Sequence, residues 1–295
     1  MNVFQSLAIK PKKRHPIRAH AGKLYYRSKK HLEWIKHNQS YANTLHPQPL
    51  QRQVFTHKSK LYRQLREVDM WYQDNKVHNL SIAIKQLNGL IIKPGETFSY
   101  WKLIGNPSKR KGYIPGMILF YGSFKPGVGG GLCQLSNLIY WMTLHTPLTV
   151  LERHRHSYDV FPDANRKQPF GSGATCAYNF LDLQIQNKTE HPFQLNLWLT
   201  DEHLLGEWRS THAPLTSYHV YEKEHVITHE HWGAYVRHNK IHRKVYNYQQ
   251  QEIDDEYVTE NHALMMYDPL LENNYNQKEE VFPRLTSSFS FFIIF

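Results

Sequence analysis

The run Gly129-Gly130-Gly131 is the feature that most constrains the fold of this 295-residue chain. Three consecutive glycines cost backbone entropy that a plain connection between two elements does not need to spend. The residues that follow, 132–142 (LCQLSNLIYWM), have the apolar spacing of a mostly buried helix. We therefore expect a glycine-rich turn to deliver the chain directly into a core helix whose first turn carries Cys133.

Cys133 is a candidate nucleophile because of this position. The free N–H groups and the positive dipole end of a helix N-terminus favour a thiolate and lower the pKa of the thiol. The backbone amides of Cys133 and Gln134, with the Gln134 side chain, are candidate donors to a substrate oxyanion. The alternative is that Cys133 is a small core residue and the glycines form only a tight turn.

A cysteine nucleophile needs a base, and the base needs an orienting partner. His154 and His156 follow about twenty residues later, at a spacing that places both side chains on one face of a strand. Asp182 lies within the alternating run FLDLQIQN and is the preferred orienting residue, with His156 as base and His154 as second choice. The nearer acids are Asp159 and Asp163.

Two alternatives remain open for the histidines. In a chain with 20 histidines, a close pair is also typical of surface or hydrogen-bonded side chains. Cys133, His154 and His156 are, moreover, ligand types that zinc accepts, although the sequence shows no paired-cysteine metal spacing. Our prediction includes no metal and no cofactor.

The pattern of elements predicts an α+β fold, with a helical basic N-terminal segment and a mixed domain whose cysteine-bearing helix packs on an antiparallel sheet. Apolar residues from Lys58 to Tyr72 at three- and four-residue steps predict an amphipathic helix. Residues 251–281 contain nine acids and one base, which favours a loose segment. The predicted units are residues 1–56, a core domain at 57–215 and a C-terminal extension at 216–295.

Charge is distributed unevenly along the chain. The net charge is +11, but residues 1–66 carry +14 and the remainder carries −3. A uniformly basic protein that coats nucleic acid is therefore excluded, and we predict no nucleic-acid partner. The apolar end SSFSFFIIF is too short to cross a bilayer, so we predict no transmembrane span, with peripheral membrane contact left open. The absence of a secretory signal predicts a cytoplasmic protein.

The motifs LNGLIIKPGETFSYWKLIGNP, GGGLCQLSNLIY, ERHRHSYDV, GSGAT and DLQIQN together resemble the VanW family, between about Leu87 and Leu199. The resemblance implies an association with glycopeptide (vancomycin) resistance or cell-wall metabolism, without an established molecular activity. The motif residues carried over to this chain are Gly95, Glu96, Thr97, Phe98, Ser99, Gly129, Gly130, Gly131, Cys133, Gln134, Ser136, His156, Ser157 and Asp182. Many members have GRDAT where this chain has GSGAT, so Gly173 replaces an acid.

Two functions follow as hypotheses. In the first, a thiol-dependent hydrolase or acyl/amide transferase acts on a peptide or peptidoglycan precursor through Cys133. Its predicted substrate-binding residues are Gly129, Gly130, Gly131, Ser136 and Ser157. In the second, the chain is a non-catalytic binding or accessory protein, and the glycine-cysteine-helix motif is structural.

Overall fold

The computed structural model of the chain describes residues 15–36, 40–62, 69–120, 122–160 and 168–269. The helices in these ranges are α1 (Pro16–Lys36), α2 (Trp71–Ile84), α3 (Tyr100–Ile104) and α4 (Cys133–Leu144), with a 3-10 turn at Lys109–Lys111. The strands are β1 (Thr44–Leu45), β2 (Arg52–Lys60), β3 (Leu90–Ile92), β4 (Thr97–Ser99), β5 (Pro115–Phe120), β6 (Ser123–Val128), β7 (Thr149–Glu152), β8 (Tyr158–Asp159), β9 (Gln184–Gln186), β10 (Phe193–Leu199), β11 (His203–Ser210), β12 (Thr216–His229), β13 (Tyr235–Asn247) and β14 (Glu252–Met265). The predicted α+β class is confirmed.

The core lies between α4 and a five-stranded antiparallel sheet in the order β1-β3-β10-β11-β2. Helix α4 packs across β11 and β2, as the sequence predicts for the cysteine-bearing helix. Gly206 on β11 permits this contact, since a Cβ there would lie 2.8 Å from the Met142 side chain of α4. Trp208 of β11 is fully buried and donates its indole N–H to Thr143 of α4 at 3.2 Å. Close packing of large apolar side chains is the main stabilising contribution in such a layer.

Three smaller sheets surround this core. Strands β4, β9 and β7 form an antiparallel sheet in the order β4-β9-β7, and β5 and β6 form a hairpin. The fourth sheet has the order β12-β13-β14-β8, with β8 parallel to β14. In the β4-β9-β7 sheet, Ser99 and Glu152 both pair with Gln184, so the ends of three strands meet at one place.

Two local predictions are wrong. Residues 52–60 form strand β2 at the edge of the central sheet, and the next helix begins only at Trp71. Pairing with β11 over most of its length decides the conformation of β2, and this tertiary contact overrides the helical periodicity. Residues 63–68 lie outside the described residues.

The acidic stretch at residues 251–281 also differs from its prediction. Its first half forms strand β14 rather than a loose segment, because its carboxylates face cations of β13. Arg243 pairs with Glu256 at 2.6 Å, and Lys244 pairs with Glu252 at 2.7 Å. The part of the stretch beyond residue 269, like the C-terminal SSFSFFIIF, lies outside the described residues.

Candidate functional site

The glycine turn before α4 is a point of very close backbone approach. Gly129 and Gly131 have φ values of +75° and +90°, which non-glycine residues rarely adopt. A Cβ on Gly130 would lie 2.1 Å from the carbonyl carbon of Gly116 in β5. A Cβ on Gly131 would lie 2.4 Å from the side chain of Lys76 in α2. The turn therefore serves as a packing junction between β5, α2 and α4.

Asn79 of α2 fixes this junction. Its amide donates to the carbonyl oxygens of Gly130 at 2.9 Å and Ile114 at 3.0 Å, and its oxygen accepts from the Ile114 N–H at 3.0 Å. The side chain is fully buried, so these hydrogen bonds satisfy polar groups that water does not reach. Within the glycine run, the Gly130 carbonyl therefore faces the Asn79 side chain.

Cys133 begins α4, as predicted, and is half-buried. Its thiol donates a hydrogen bond to the backbone carbonyl of Cys176 at 3.6 Å. Burial raises the pKa of the Cys133 thiol, against a smaller lowering by backbone hydrogen bonds. Burial also raises the pKa of the Cys176 thiol well above its usual range. The thiol form of Cys133 is thus favoured at neutral pH, contrary to what a helix N-terminus alone would predict.

The other predicted residues on α4 hold neighbouring segments in place. Gln134 donates from its side-chain amide to the Lys60 carbonyl at 2.8 Å and to Ser59 Oγ at 2.9 Å, at the end of β2. Ser136 donates its hydroxyl hydrogen to the Ala174 carbonyl at 2.7 Å. These contacts dock β2 and the segment around residue 174 onto the first turns of α4.

Gly173 packs against α4. A Cβ at Gly173 would lie 2.6 Å from the side-chain oxygen of Asn137, which itself accepts from the Ala174 N–H at 2.8 Å. Arg153 Nε donates to the Gly173 carbonyl at 2.9 Å. The side chains of Asn137 and Arg153 therefore lie close to the backbone of residue 173 and leave no room for a larger residue.

The His154 ring pairs with a carboxylate. Its Nε2 is 2.9 Å from Glu152 Oε1, at the end of β7. The same carboxylate forms a short ion pair with Lys30 of α1 and accepts the Asp182 backbone N–H at 3.1 Å. Burial acts to raise the pKa of Glu152, but the hydrogen bonds from His154 and Lys30 outweigh it and leave the pKa below its ordinary value.

Asp182 is fully buried beside this cluster. Its carboxylate accepts from Ser99 Oγ at 2.5 Å and from the backbone N–H groups of Trp101 at 2.9 Å and Leu183 at 3.0 Å. Burial raises the pKa of Asp182 to about 6, with Glu152 acting in the same direction and the hydrogen bonds opposing it. Asp182 thus anchors the start of α3 to the segment before β9.

The remaining predicted residues are spread along the following segment. His156 lines a small cavity with Leu119 and Phe120 of the β5–β6 hairpin, and burial lowers its pKa. Ser157 accepts the Leu264 N–H through its carbonyl at 2.9 Å. Asp159 forms an ion pair with Arg237 at 3.3 Å. Asp163 lies outside the described residues.

The structure therefore does not bring the predicted cysteine, histidine and aspartate into one hydrogen-bonded set. Residues 153–156 form no strand, so the predicted same-face arrangement of the two imidazoles does not arise from strand geometry. Within the described ranges, no group of three or more His, Cys, Asp or Glu residues has a geometry that would hold a metal ion.

A cleft of about 280 Å³ opens beside the Glu152 cluster, between α1 and the core. It is lined by Tyr26, Lys29, Lys30, Glu33, Glu152 and Phe180. Both signs of charge and two aromatic rings therefore face one space. Glu152 and Lys30 are not among the residues predicted from the sequence. Glu152 lies two residues before His154, and this spacing is a sequence signal for it. The sequence around Lys30 carries no such signal.

The family described as "VanW like protein" matches residues 75–209, which include the α4 junction and the Glu152–Asp182 region. Residues 75–209 belong to the VanW family. Helix α1 and the sheet formed by β12–β14 lie outside this VanW-family region.

Two curated relatives are similar to this chain. "Vancomycin B-type resistance protein VanW" of Enterococcus faecalis (strain ATCC 700802 / V583) is 39% identical over 180 residues, which cover 61% of this chain and 66% of that protein. "Uncharacterized protein YoaR" of Bacillus subtilis (strain 168) is 30% identical over 118 residues, which cover 40% of this chain and 37% of that protein. The chain thus spans just under two thirds of the first relative's length and about a third of the second's. No solved structure matches.

Proposed function

We propose that this chain is a non-catalytic accessory protein of glycopeptide resistance or cell-wall metabolism, which binds part of a peptide or peptidoglycan precursor in the Glu152 cleft. The observation that carries the proposal is the cleft itself, where Lys30 and Glu152 stand beside two aromatic rings. The name of the Enterococcus relative supports the resistance context. The competing function is the thiol hydrolase or acyl/amide transferase predicted from the sequence.

The chemistry of the cleft favours a ligand that carries both charges. Lys29 and Lys30 offer cations for a carboxylate, while Glu33 and Glu152 offer anions for an ammonium group. Tyr26 and Phe180 supply flat apolar surface for the stem of a side chain. A peptide carries a carboxylate, an ammonium group and side-chain stems, so it can bind to all of these groups of the cleft. The cleft volume of about 280 Å³ lies just below the range of about 300–1,000 Å³ for ligand pockets, so the cleft fits the end of a peptide rather than a whole precursor.

The surroundings of Cys133 support binding over covalent catalysis. A nucleophilic thiol needs a lowered pKa and a base within hydrogen-bond reach. Burial raises the pKa of Cys133, and its hydrogen-bond acceptor is a backbone carbonyl. His154 instead pairs with Glu152. In this proposal Cys133 fills space at the α4 junction.

A complementation assay tests the proposal in a vancomycin-resistant host whose own copy is deleted. We expect Glu152→Gln to lower the minimum inhibitory concentration of vancomycin to that of the deletion strain, because it removes the anion that pairs with Lys30 and His154. Cys133→Ala should retain the wild-type value. The purified proteins give a second readout, in which Glu152→Gln weakens binding of a synthetic stem pentapeptide at least about tenfold, a loss typical of one charged hydrogen bond.

The matched control is Glu190→Gln, which removes one carboxylate from an exposed position outside the cleft. It should behave as the wild type in both assays, with all variants expressed to equal levels. The opposite pattern, in which Cys133→Ala abolishes resistance and Glu152→Gln preserves it, would establish the thiol-dependent function instead.

A further inference from the structure

Helix α1 has the reverse of the usual arrangement of an amphipathic helix. A helix packed on a protein normally buries its apolar stripe and exposes its charges. Here the face toward the protein carries the polar contacts, and the apolar stripe faces outward. We propose that this outward stripe of α1 lies on the surface of an anionic lipid bilayer, with the helix parallel to the membrane plane.

The inner face of α1 is held by two cationic side chains and one tryptophan. Arg27 Nε donates to the Tyr178 carbonyl at 3.2 Å, and its guanidinium lies 5.2 Å from the Tyr178 ring centre. Lys30 is buried and forms its ion pair with Glu152. Trp34 is partly buried against the core. The helix is therefore fixed in orientation by side chains at three- and four-residue steps, which share one face.

The outer face is apolar along most of the helix. Ile17 is 74% exposed, Leu24 53%, Leu32 51% and Ile35 79%. At about 3.6 residues per turn, Ile17, Leu24 and Ile35 lie on nearly the same line along the helix, and Leu32 lies beside it. Tyr25, 64% exposed, borders the stripe. Exposed apolar side chains aligned in this way indicate a surface that another apolar phase covers.

The positive charge of α1 favours an anionic lipid surface as the partner of the apolar stripe. Six Lys or Arg residues and one acid, Glu33, lie in α1, and four further cations precede it in the sequence at residues 10–14. Arg18 is exposed. Its spacing places it beside Tyr25 at one edge of the stripe, where a bilayer's phosphate groups would lie. Apolar side chains flanked by cations are typical of helices that lie in the interface of anionic membranes. No helix in the described ranges is both long enough and apolar enough to cross a bilayer.

Vesicle sedimentation with the full chain tests the proposal. We expect the wild type to pellet with vesicles of phosphatidylcholine containing one third phosphatidylglycerol, and to pellet much less with phosphatidylcholine alone. The double variant Leu24→Asp/Ile35→Asp should reduce the partition coefficient at least about tenfold, since it removes two apolar anchors and adds negative charge. Both sites are exposed, so circular dichroism and the melting temperature should stay as in the wild type.

The matched control is Leu215→Asp/Val226→Asp, which makes the same charge change at two exposed apolar residues elsewhere, 80% and 54% exposed. It should retain more of the vesicle binding than the α1 variant. Absence of wild-type binding to anionic vesicles, or equal binding by the α1 variant and the wild type, would overturn the proposal.

Two other occupants give distinct results that would also overturn it. A dimer in light scattering that Leu24→Asp/Ile35→Asp dissolves, without any vesicle binding, would assign the stripe to a second copy of the chain. Vesicle binding that survives this variant but is lost on deletion of residues 287–295 would assign membrane contact to the C-terminal SSFSFFIIF segment.

Discussion

Gly130→Ala is expected to cost at least about 3 kcal/mol of unfolding free energy, among the largest effects of a single methyl group. The added Cβ would lie 2.1 Å from the carbonyl carbon and 2.2 Å from the oxygen of Gly116. Both are backbone atoms of β5, so no side chain can move aside. The start of α4 must separate from β5, and the Asn79 hydrogen bond to the Gly130 carbonyl is then strained or lost.

Urea denaturation at neutral pH measures this effect. Gly22→Ala is the matched control, because it adds the same methyl group inside α1 with no atom within 4 Å of the new Cβ. Since alanine is favoured over glycine in a helix interior, the control should be neutral or more stable by up to about 1 kcal/mol. A Gly130→Ala variant as stable as this control would show that the glycine run is not a packing junction.

Asp182 is expected to make the stability of the wild type fall as the pH rises from about 4 to about 6. The pKa of Asp182 is about 6 in the folded protein, against an ordinary value of 3.8. Because the folded state holds this proton more tightly than the unfolded chain, protonation stabilises the fold below pH 4, and this contribution is lost as pH passes through the folded pKa. This difference in pKa between the folded and the unfolded chain corresponds to about 3 kcal/mol of unfolding free energy.

The comparison variant is Asp182→Asn, which has a similar shape and cannot titrate. Urea denaturation of both proteins between pH 4 and pH 7 gives the difference in unfolding free energy at each pH. That difference should move by about 2 kcal/mol against the wild type over this range, because at pH 4 the carboxyl of the unfolded chain is already partly ionised. A difference that is independent of pH would mean that Asp182 titrates at its ordinary pKa.

The sequence predicted those parts of the fold where local pattern and burial agree. The α4 helix after the glycine run is confirmed. Its apolar residues recur at the period of the helix that forms. The resemblance to the VanW family rests on the same stretch and is confirmed by the family match.

The sequence did not predict elements that depend on distant partners. Strand β14 has an acidic composition typical of loose chain, and the cations that pair with it lie on β13. Strand β2 is fixed by β11, about 150 residues away. Lys30 reaches Glu152 across 122 positions. No periodicity within one segment reports such contacts, so the candidate cleft could be recognised only in three dimensions.

The pKa of the Cys133 thiol also depends on contacts that the sequence does not show. A helix N-terminus lowers the pKa of a thiol only where the thiolate is also solvated or paired with a cation. Cys133 has the helix position, but the segment around Cys176 covers it. The sequence predicts that Cys133 begins a helix, but it does not predict that the segment around Cys176 lies against the thiol.

Alkylation of the native protein by iodoacetamide at pH 7, followed by peptide mass spectrometry, tests most directly whether Cys133 is structural. Because burial raises the pKa of both thiols, we expect Cys133 and Cys176 to react slowly and at least about tenfold more slowly than in the chain unfolded in urea. A Cys133 that reacts faster in the native protein than in the unfolded chain would contradict this account and identify an activated nucleophile.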